Sequence, residues 1–389
     1  MSNSNYQKQT VFSAACLGML FFGIVMISLG SILPEITSKF QLNEVSTGFL
    51  LTLLPSGILA GSLVFGPLVD WLSHKRILIA GSVFTLIGLE GIAFSNNMPI
   101  LHLSVFCIGL GGGILNGVTN SIVSEISDED HSANLSILGI FFGVGSLGTP
   151  LLLGLLQDTY PFESILALYG AFISLPILFF IFIRFPIVSK SQGVPLREGF
   201  KMLKDPLLLL FGFILFFQSG FEGLLNNWTT SYLEAIKYLS GSNALFTLSS
   251  FVGALIVARI ILGKILRIYS PFIIMVLSYT IGFLGCIILL FGESFYLLIG
   301  GLIAIGLGLA SGFPIILGYI GQSYTKLSGT AFSIAITIAL IGNVLANYFM
   351  GLVSQQFGLE VLPYFLMIAI LSIFILLYIT KKKYNSIIN

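Results

Sequence analysis

Glu222 stands in an apolar stretch that reads Gln218-Ser-Gly-Phe-Glu222-Gly-Leu-Leu-Asn-Asn-Trp228. An ionisable side chain in such a run is expensive in a bilayer and marks a functional site by default. If the stretch is helical, Gln218, Glu222 and Asn226 recur every four residues and share a face. Asn227 and Trp228 follow directly. A carboxylate, amides and an aromatic ring together suit a polyhydroxylated solute, because rings stack on sugar C–H faces while amides and acids bond the hydroxyls. The competing reading is a buried Glu222 bonded to neighbouring helices, with Trp228 as an interfacial anchor.

Further amides lie in other apolar runs: Asn116 and Asn120 in one, Asn343 and Asn347 in another. Glu90 and Arg259 complete the set; Arg259 could serve as a gating cation or could snorkel to lipid phosphates. No Gly-x-x-x-x-Gly-Lys-[Ser/Thr], His-Glu-x-x-His or Gly-x-Ser-x-Gly pattern occurs, so no enzyme activity and no cofactor are expected. Cys16, Cys107 and Cys286 all fall in apolar runs, which argues against a disulfide framework and offers no metal-ligand spacing.

The elements that must position these groups follow from composition. The chain has 389 residues, of which 56% are hydrophobic and 8% charged, against about 25% charged in a soluble protein. About 20 apolar residues cross a bilayer as a helix. Twelve such runs are present, near 11–33, 46–70, 77–96, 99–123, 134–157, 164–184, 207–229, 242–265, 271–291, 294–318, 328–352 and 360–380. They are too long and too uniformly apolar for barrel strands, so the expected fold is an all-α membrane protein with twelve transmembrane helices. Glu222 then lies about two thirds of the way outward along the seventh. If the N-terminus is inside, only Lys39 and Lys237 of the 17 basic residues fall in outer segments. That alternation puts both termini in the cytoplasm of a plasma-membrane protein. A net charge of +1 gives no footprint for nucleic acid.

The longest polar insert, Pro186 to Pro206, divides the chain into 1–185, a linker at 186–206, and 207–389. Within it Leu196 to Lys204 could lie on the membrane surface as a short amphipathic helix. The acidic loop from Glu125 to His131 reads as a solvated face and not a metal site. Pro34 is expected to end or bend the first helix. Sliding the sequence on itself by 197 residues places Ile108-Gly-Leu-Gly111 on Ile305-Gly-Leu-Gly308, Gly66 on Gly263, Ser73 on Ser270, Gly145 on Gly342, and Gly154-Leu155 on Gly351-Leu352. One offset serving helices two, four and five and their partners indicates a six-plus-six duplication, with a solute site near the midplane between parallel halves.

The loop Gly66-Pro-Leu-Val-Asp70-Trp-Leu-Ser-His-Lys75-Arg76 resembles the signature loop of the major facilitator superfamily, G-x-L-x-D-R-x-G-R-[RK]. Gly66, Leu68, Asp70, Lys75 and Arg76 fit, whereas Trp71, Ser73 and His74 depart. The resemblance implies an inner gate of Asp70, Lys75 and Arg76, with Asp70 near a helix N-terminus such as that of span eleven. Glu222-x-x-x-x-x-Trp228, Ser231-Tyr232, Gly253-x-x-x-x-x-Arg259-x-x-x-Gly263, Asn116-x-x-x-Asn120 and Gly312-Phe-Pro314 together are similar to the fucose–proton symporter family. That finer resemblance implies proton-coupled uptake of a sugar by alternating access. Yet the family's carboxylates in helices one and four align with Gly30 and Asn116, which cannot titrate. Coupling therefore falls to Glu222, or the protein is a uniporter, or the solute is not a sugar. The alternative, efflux of amphipathic drugs or metabolites, rests on 35 Phe and a glycine-rich fifth helix. The expected partners are a small-molecule substrate, protons and lipid, and the expected state is a monomer.

Overall fold

The computed structural model of the chain describes residues 6–127, 131–185, 202–324 and 327–388. The helices of its first part are α1 (Lys8–Ser31), α2 (Leu33–Phe40), α3 (Glu44–Trp71), α4 (His74–Ala93), α5 (Met98–Ile126), α6 (His131–Leu156) and α7 (Phe162–Phe182). Those of its second part are α8 (Pro206–Ala235), α9 (Gly241–Ile265), α10 (Pro271–Phe291), α11 (Phe295–Leu309), α12 (Gly312–Ser323), α13 (Ser328–Phe357) and α14 (Leu362–Ile388). Among the described residues twelve helical segments are long and apolar enough to cross a membrane. The expected twelve-span helical fold is thus what the chain forms.

Local chemistry sets the ends. Pro34 sits in the first turn of α2, just past the Ser31 terminus of α1, so the proline does interrupt the first helix. Several spans end later than expected, α13 at Phe357 and α14 at Ile388 among them, and two differences bear on the site. The seventh was expected over 207–229, but α8 continues to Ala235 because Thr229, Thr230 and Tyr232 are buried by neighbouring helices. The tenth is not one helix: α11 stops at Leu309 and α12 restarts at Gly312. Most of the expected surface helix at 196–204, like most of the linker, lies outside the described residues, as do Asp128, Glu129 and Asp130 of the acidic loop.

The chain forms two compact units. Unit one comprises Met1–Asn43 and Leu50–Ser191, and unit two comprises Glu44–Phe49 and Gln192–Asn389. Each is held by helices that approach through glycine, the usual way to bring membrane helices into van der Waals contact. The contacts in one unit repeat in the other at the 197-residue offset, to within one residue at the partner. A β-carbon on Gly145 would collide with the carbonyl of Leu20 in α1, and one on Gly342 with the carbonyl of Phe216 in α8. Gly109 abuts the Leu54 carbonyl as Gly306 abuts that of Phe251, and Gly88 meets Ile108 as Gly285 meets Ile305. Even a side-chain bond recurs: Ser146 donates to the Gly23 carbonyl at 3.2 Å, and Asn343 to the Ser219 carbonyl at 3.0 Å.

These approaches make a paired prediction within α6. Gly145→Val must push α1 away and should cost about 1–3 kcal/mol or more by overpacking. By contrast, a β-carbon at Gly148 meets nothing within 4 Å. Gly148→Ala should therefore leave the melting temperature unchanged or raised. Thermal melts of the purified variants check this; equal melting of Gly145→Val and the parent protein would contradict the packing described.

Candidate functional site

The site is built on α8. Asp205 caps it, its carboxylate accepting from the backbone N–H of Leu207 at 2.8 Å and of Leu208 at 3.2 Å, with Pro206 in the first turn. Because α8 has 30 residues, Glu222 sits at its middle and not two thirds of the way along. The Glu222 carboxylate faces Arg259 of α9, with Oε1 at 3.5 Å from a terminal guanidinium nitrogen. Both remain partly open, with side-chain exposures of 18% for Glu222 and 31% for Arg259. Gln218, one turn earlier and fully buried, donates to the same Glu222 oxygen at 3.1 Å. Its Nε2 also donates to the Leu309 carbonyl at 2.9 Å, while its own Oε1 accepts from the Tyr279 hydroxyl. Asn226 is half-buried and, four residues on, shares the Glu222 face. Arg259, expected as a gating or snorkelling cation, is thus paired with Glu222.

Trp228 occupies a different place from the one expected. Its side chain is only 1% exposed, and its indole N–H donates to Asn347 Oδ1 at 3.0 Å. Asn227 donates to the same oxygen at 3.1 Å, and Asn347 donates to the carbonyl and Oδ1 of Asn343, both at 2.9 Å. Six residues are about 1.7 turns, so Trp228 is rotated well off the Glu222 face. Its ring is enclosed by protein, with no face open for stacking. Trp228, Asn343 and Asn347 instead join α8 to α13 in the interior of unit two.

In unit one, Asn120 donates to the Asn116 carbonyl at 2.8 Å and to its Oδ1 at 3.1 Å, leaving both amides half-buried on α5. Of the expected gate, Lys75 donates to the carbonyls of Ile181 at 2.6 Å and Ile183 at 3.0 Å, so it closes the C-terminus of α7. Arg76 is exposed. The Asp70 side chain lies outside the described set. Glu90 rests against Gly170 of α7, a helix-packing position.

Three polar contacts escaped sequence reasoning. Tyr279 is one, since nothing in an apolar span marks its partner. His74, a departure from the signature loop, is fully buried, with Nε2 at 2.9 Å from Ser121 Oγ and Nδ1 at 3.5 Å from Glu125. The i, i+4 pairing of Ser121 with Glu125 was its only signal. Glu35 of α2, outside the spans, is held above the usual carboxylate range by burial, opposed by a backbone hydrogen bond and raised further by Glu163. Among the described residues no three His, Cys, Asp or Glu side chains are grouped to hold a metal ion.

A twelve-span chain of two units with matching internal contacts, and polar groups inside its spans, has the build of a solute carrier. The profile of the Major Facilitator Superfamily matches residues 15–293. The chain belongs to that superfamily. The glucose/mannose transporter GlcP of Bacillus subtilis (strain 168) is 25% identical over 357 residues, 86% of each chain. Among solved structures, a point mutant of the nucleoside transporter NupG superposes with a TM-score of 0.80 at 16% identity, over 96% of this chain and 99% of that one. The D-xylose-proton symporter superposes with a TM-score of 0.79 at 11% identity, over 95% and 97%. At those identities the structures show a shared fold. This facilitator is thus an integral, multi-pass membrane transporter of a small solute.

The geometry separates two classes of amide in the facilitator. Asn347→Leu should strand the donors of Asn227 and Trp228, each at a cost of about 1–3 kcal/mol, and lower the melting temperature markedly. Asn226→Ala should stay within about 0.5 kcal/mol of the parent. Thermal melting in detergent distinguishes them; the reverse ranking would overturn the assignment.

Proposed function

We propose that this transporter moves a small, sugar-like, polyhydroxylated solute by alternating access in the plasma membrane, with both termini cytoplasmic, and that Glu222, Asn226 and Arg259 of unit two bind it. The observation that carries the reading is the open charge pair beside Asn226. Hydroxyl groups both donate and accept, and here a carboxylate accepts, a guanidinium donates and an amide does both. Arg259 Nε is buried with no hydrogen-bond partner, a donor that an incoming hydroxyl would satisfy. The 25% identity to a protein named a glucose/mannose transporter supports the same class. The loose resemblance to the fucose–proton symporter family agrees with it. Asn116 and Asn120 are the candidate contacts from unit one. Gln218, Asn343, Asn347 and Trp228, already bonded within the protein, act as supports behind the contact groups. With neutral residues at Gly30 and Asn116, Glu222 is the group that takes a proton if transport is proton-coupled. The gate is assigned to Asp70 and Arg76, with Lys75 anchoring their loop.

The test is a melting-temperature panel of neutral hexoses, pentoses and amphipathic cations on purified protein, since a ligand that binds the native state raises its melting point. A neutral sugar should give the shift. Glu222→Gln combined with Asn226→Ala should weaken it by about tenfold or more in affinity, the loss expected for a charged and a neutral hydrogen bond. Proteoliposome uptake of that sugar should fall in parallel. Shifts from amphipathic cations alone would favour efflux, and unchanged sugar uptake by the double variant would remove the assigned site.

A further inference from the structure

The break in the tenth span has a local cause and a specific plug. Pro314 offers no N–H to the Ala310 carbonyl and its ring crowds that position, which weakens the helix at Ala310 and Ser311; α6 and α7 run on through Pro150 and Pro176, whereas here the helix breaks. An interrupted helix inside a membrane is tolerated where side chains satisfy the freed backbone groups. Here the side chain comes from a different helix. Gln218 of α8 reaches into the gap and donates to the carbonyl of Leu309, the last residue of α11, at 2.9 Å. Gly312, the first residue of α12, makes the room: a β-carbon there would collide with Gln218 Oε1 and with the Tyr279 hydroxyl. Insertion of a foreign side chain into the ladder is a recognised way to kink a helix. The Gln218 amide therefore joins α8, α10 and both halves of the tenth span at one point.

The same amide nitrogen donates to Glu222 Oε1 at 3.1 Å. Its two hydrogen atoms thus serve two masters, the site carboxylate and the broken helix. We propose that Gln218 is a positioning residue that transmits the state of Glu222 to the break in the tenth span, an inference that rests on Glu222 being the working carboxylate of the site. When Glu222 is neutralised or engaged by a solute hydroxyl, its pull on Gln218 weakens. The amide then turns about its Tyr279 contact, and its hold on the Leu309 carbonyl changes. The charged or titratable groups that bear on this point are Glu222 on α8, Arg259 on α9 and Tyr279 on α10. The route runs from the carboxylate, through Gln218, to the junction of α11 and α12.

The test needs no solute. Hydrogen–deuterium exchange of the full chain in nanodiscs is read over peptides spanning residues 305–320, with Glu222→Gln as the neutral form of the carboxylate. Glu222→Gln should alter exchange at the break by about fivefold, the scale of a local opening equilibrium. In a Tyr279→Phe background, which removes the hydroxyl that pins the amide, that response should shrink to within about twofold. Gln218→Leu should abolish it. Tyr279→Phe is a near-isosteric change and keeps the test available should Gln218→Leu fail to fold. Unchanged exchange on Glu222→Gln, or a full response persisting without the Tyr279 hydroxyl, overturns the proposal. Because no sugar is present, failure to find a bound sugar would count against the solute reading alone, and failure of the exchange response against the relay alone.

Discussion

A carboxylate at the middle of a membrane-spanning helix sets the terms for the second unit. An isolated acid at the centre of such a helix costs about 2.5–3.5 kcal/mol on insertion scales, so Glu222 must be partnered. It has Arg259 from the adjacent helix and Gln218 from its own. Removing one member of such a pair is more costly than never having made it, because the remaining charge is stranded. Hence whatever neutralises or occupies Glu222 must also settle Arg259. Since both side chains keep some exposure, a small solute with hydroxyls on two edges can do this, whereas a purely apolar compound cannot. The electrostatic requirement thus ties the stability of the span to the partners of Glu222.

The duplication separates scaffold from chemistry more sharply than either unit alone. Glycine approaches recur at the 197-residue offset, as Gly145 and Gly342 show, each against a carbonyl of the first helix of its unit. The polar groups around Glu222 do not recur. Counting back 197 residues, Glu222 corresponds to Val25, Arg259 to Ser62, Gln218 to Phe21 and Tyr279 to Ser82. Asn343 behaves differently: its counterpart Ser146 makes the same kind of bond to the same part of the neighbouring helix. A polar residue whose bond is repeated belongs to the packing; one whose counterpart is apolar has been placed for another purpose. By that criterion Asn343 holds α8 to α13, while Glu222 and Gln218 carry the asymmetry of the molecule.

Much of this was legible in the chain. Runs of apolar residues gave the twelve spans, Pro34 gave the end of the first helix, and four-residue spacing placed Gln218, Glu222 and Asn226 on one face. The losses have physical reasons. Spans that are apolar all round carry no periodicity to fix their rotation, so Trp228 read as a neighbour of Glu222 although it turns into the interior. The end of the seventh span was set too early because Asn226, Asn227, Thr229 and Thr230 interrupt the apolar run, yet all but Asn226 are buried within unit two. Pairings across helices, such as Glu222 with Arg259, depend on which spans pack together. That information is not present in any local window.

The signature loop shows the same divide between type and role. Its basic residues suggested a gate, but Lys75 spends its ammonium on the last carbonyls of α7, where the helix end is electronegative. His74 replaces a cation of the usual pattern with a buried imidazole that ties the start of α4 to Ser121 and Glu125 near the end of α5. Two consecutive residues therefore fasten one helix start to the ends of two neighbouring helices on the same side. Helices joined only by thin glycine contacts could slide along one another; ends locked by a cationic cap and a buried imidazole cannot do so independently. In this chain the start of α4 is thus clamped to the ends of α5 and α7, and the one departure seen to contribute, His74, adds a buried contact where the family pattern has a cation.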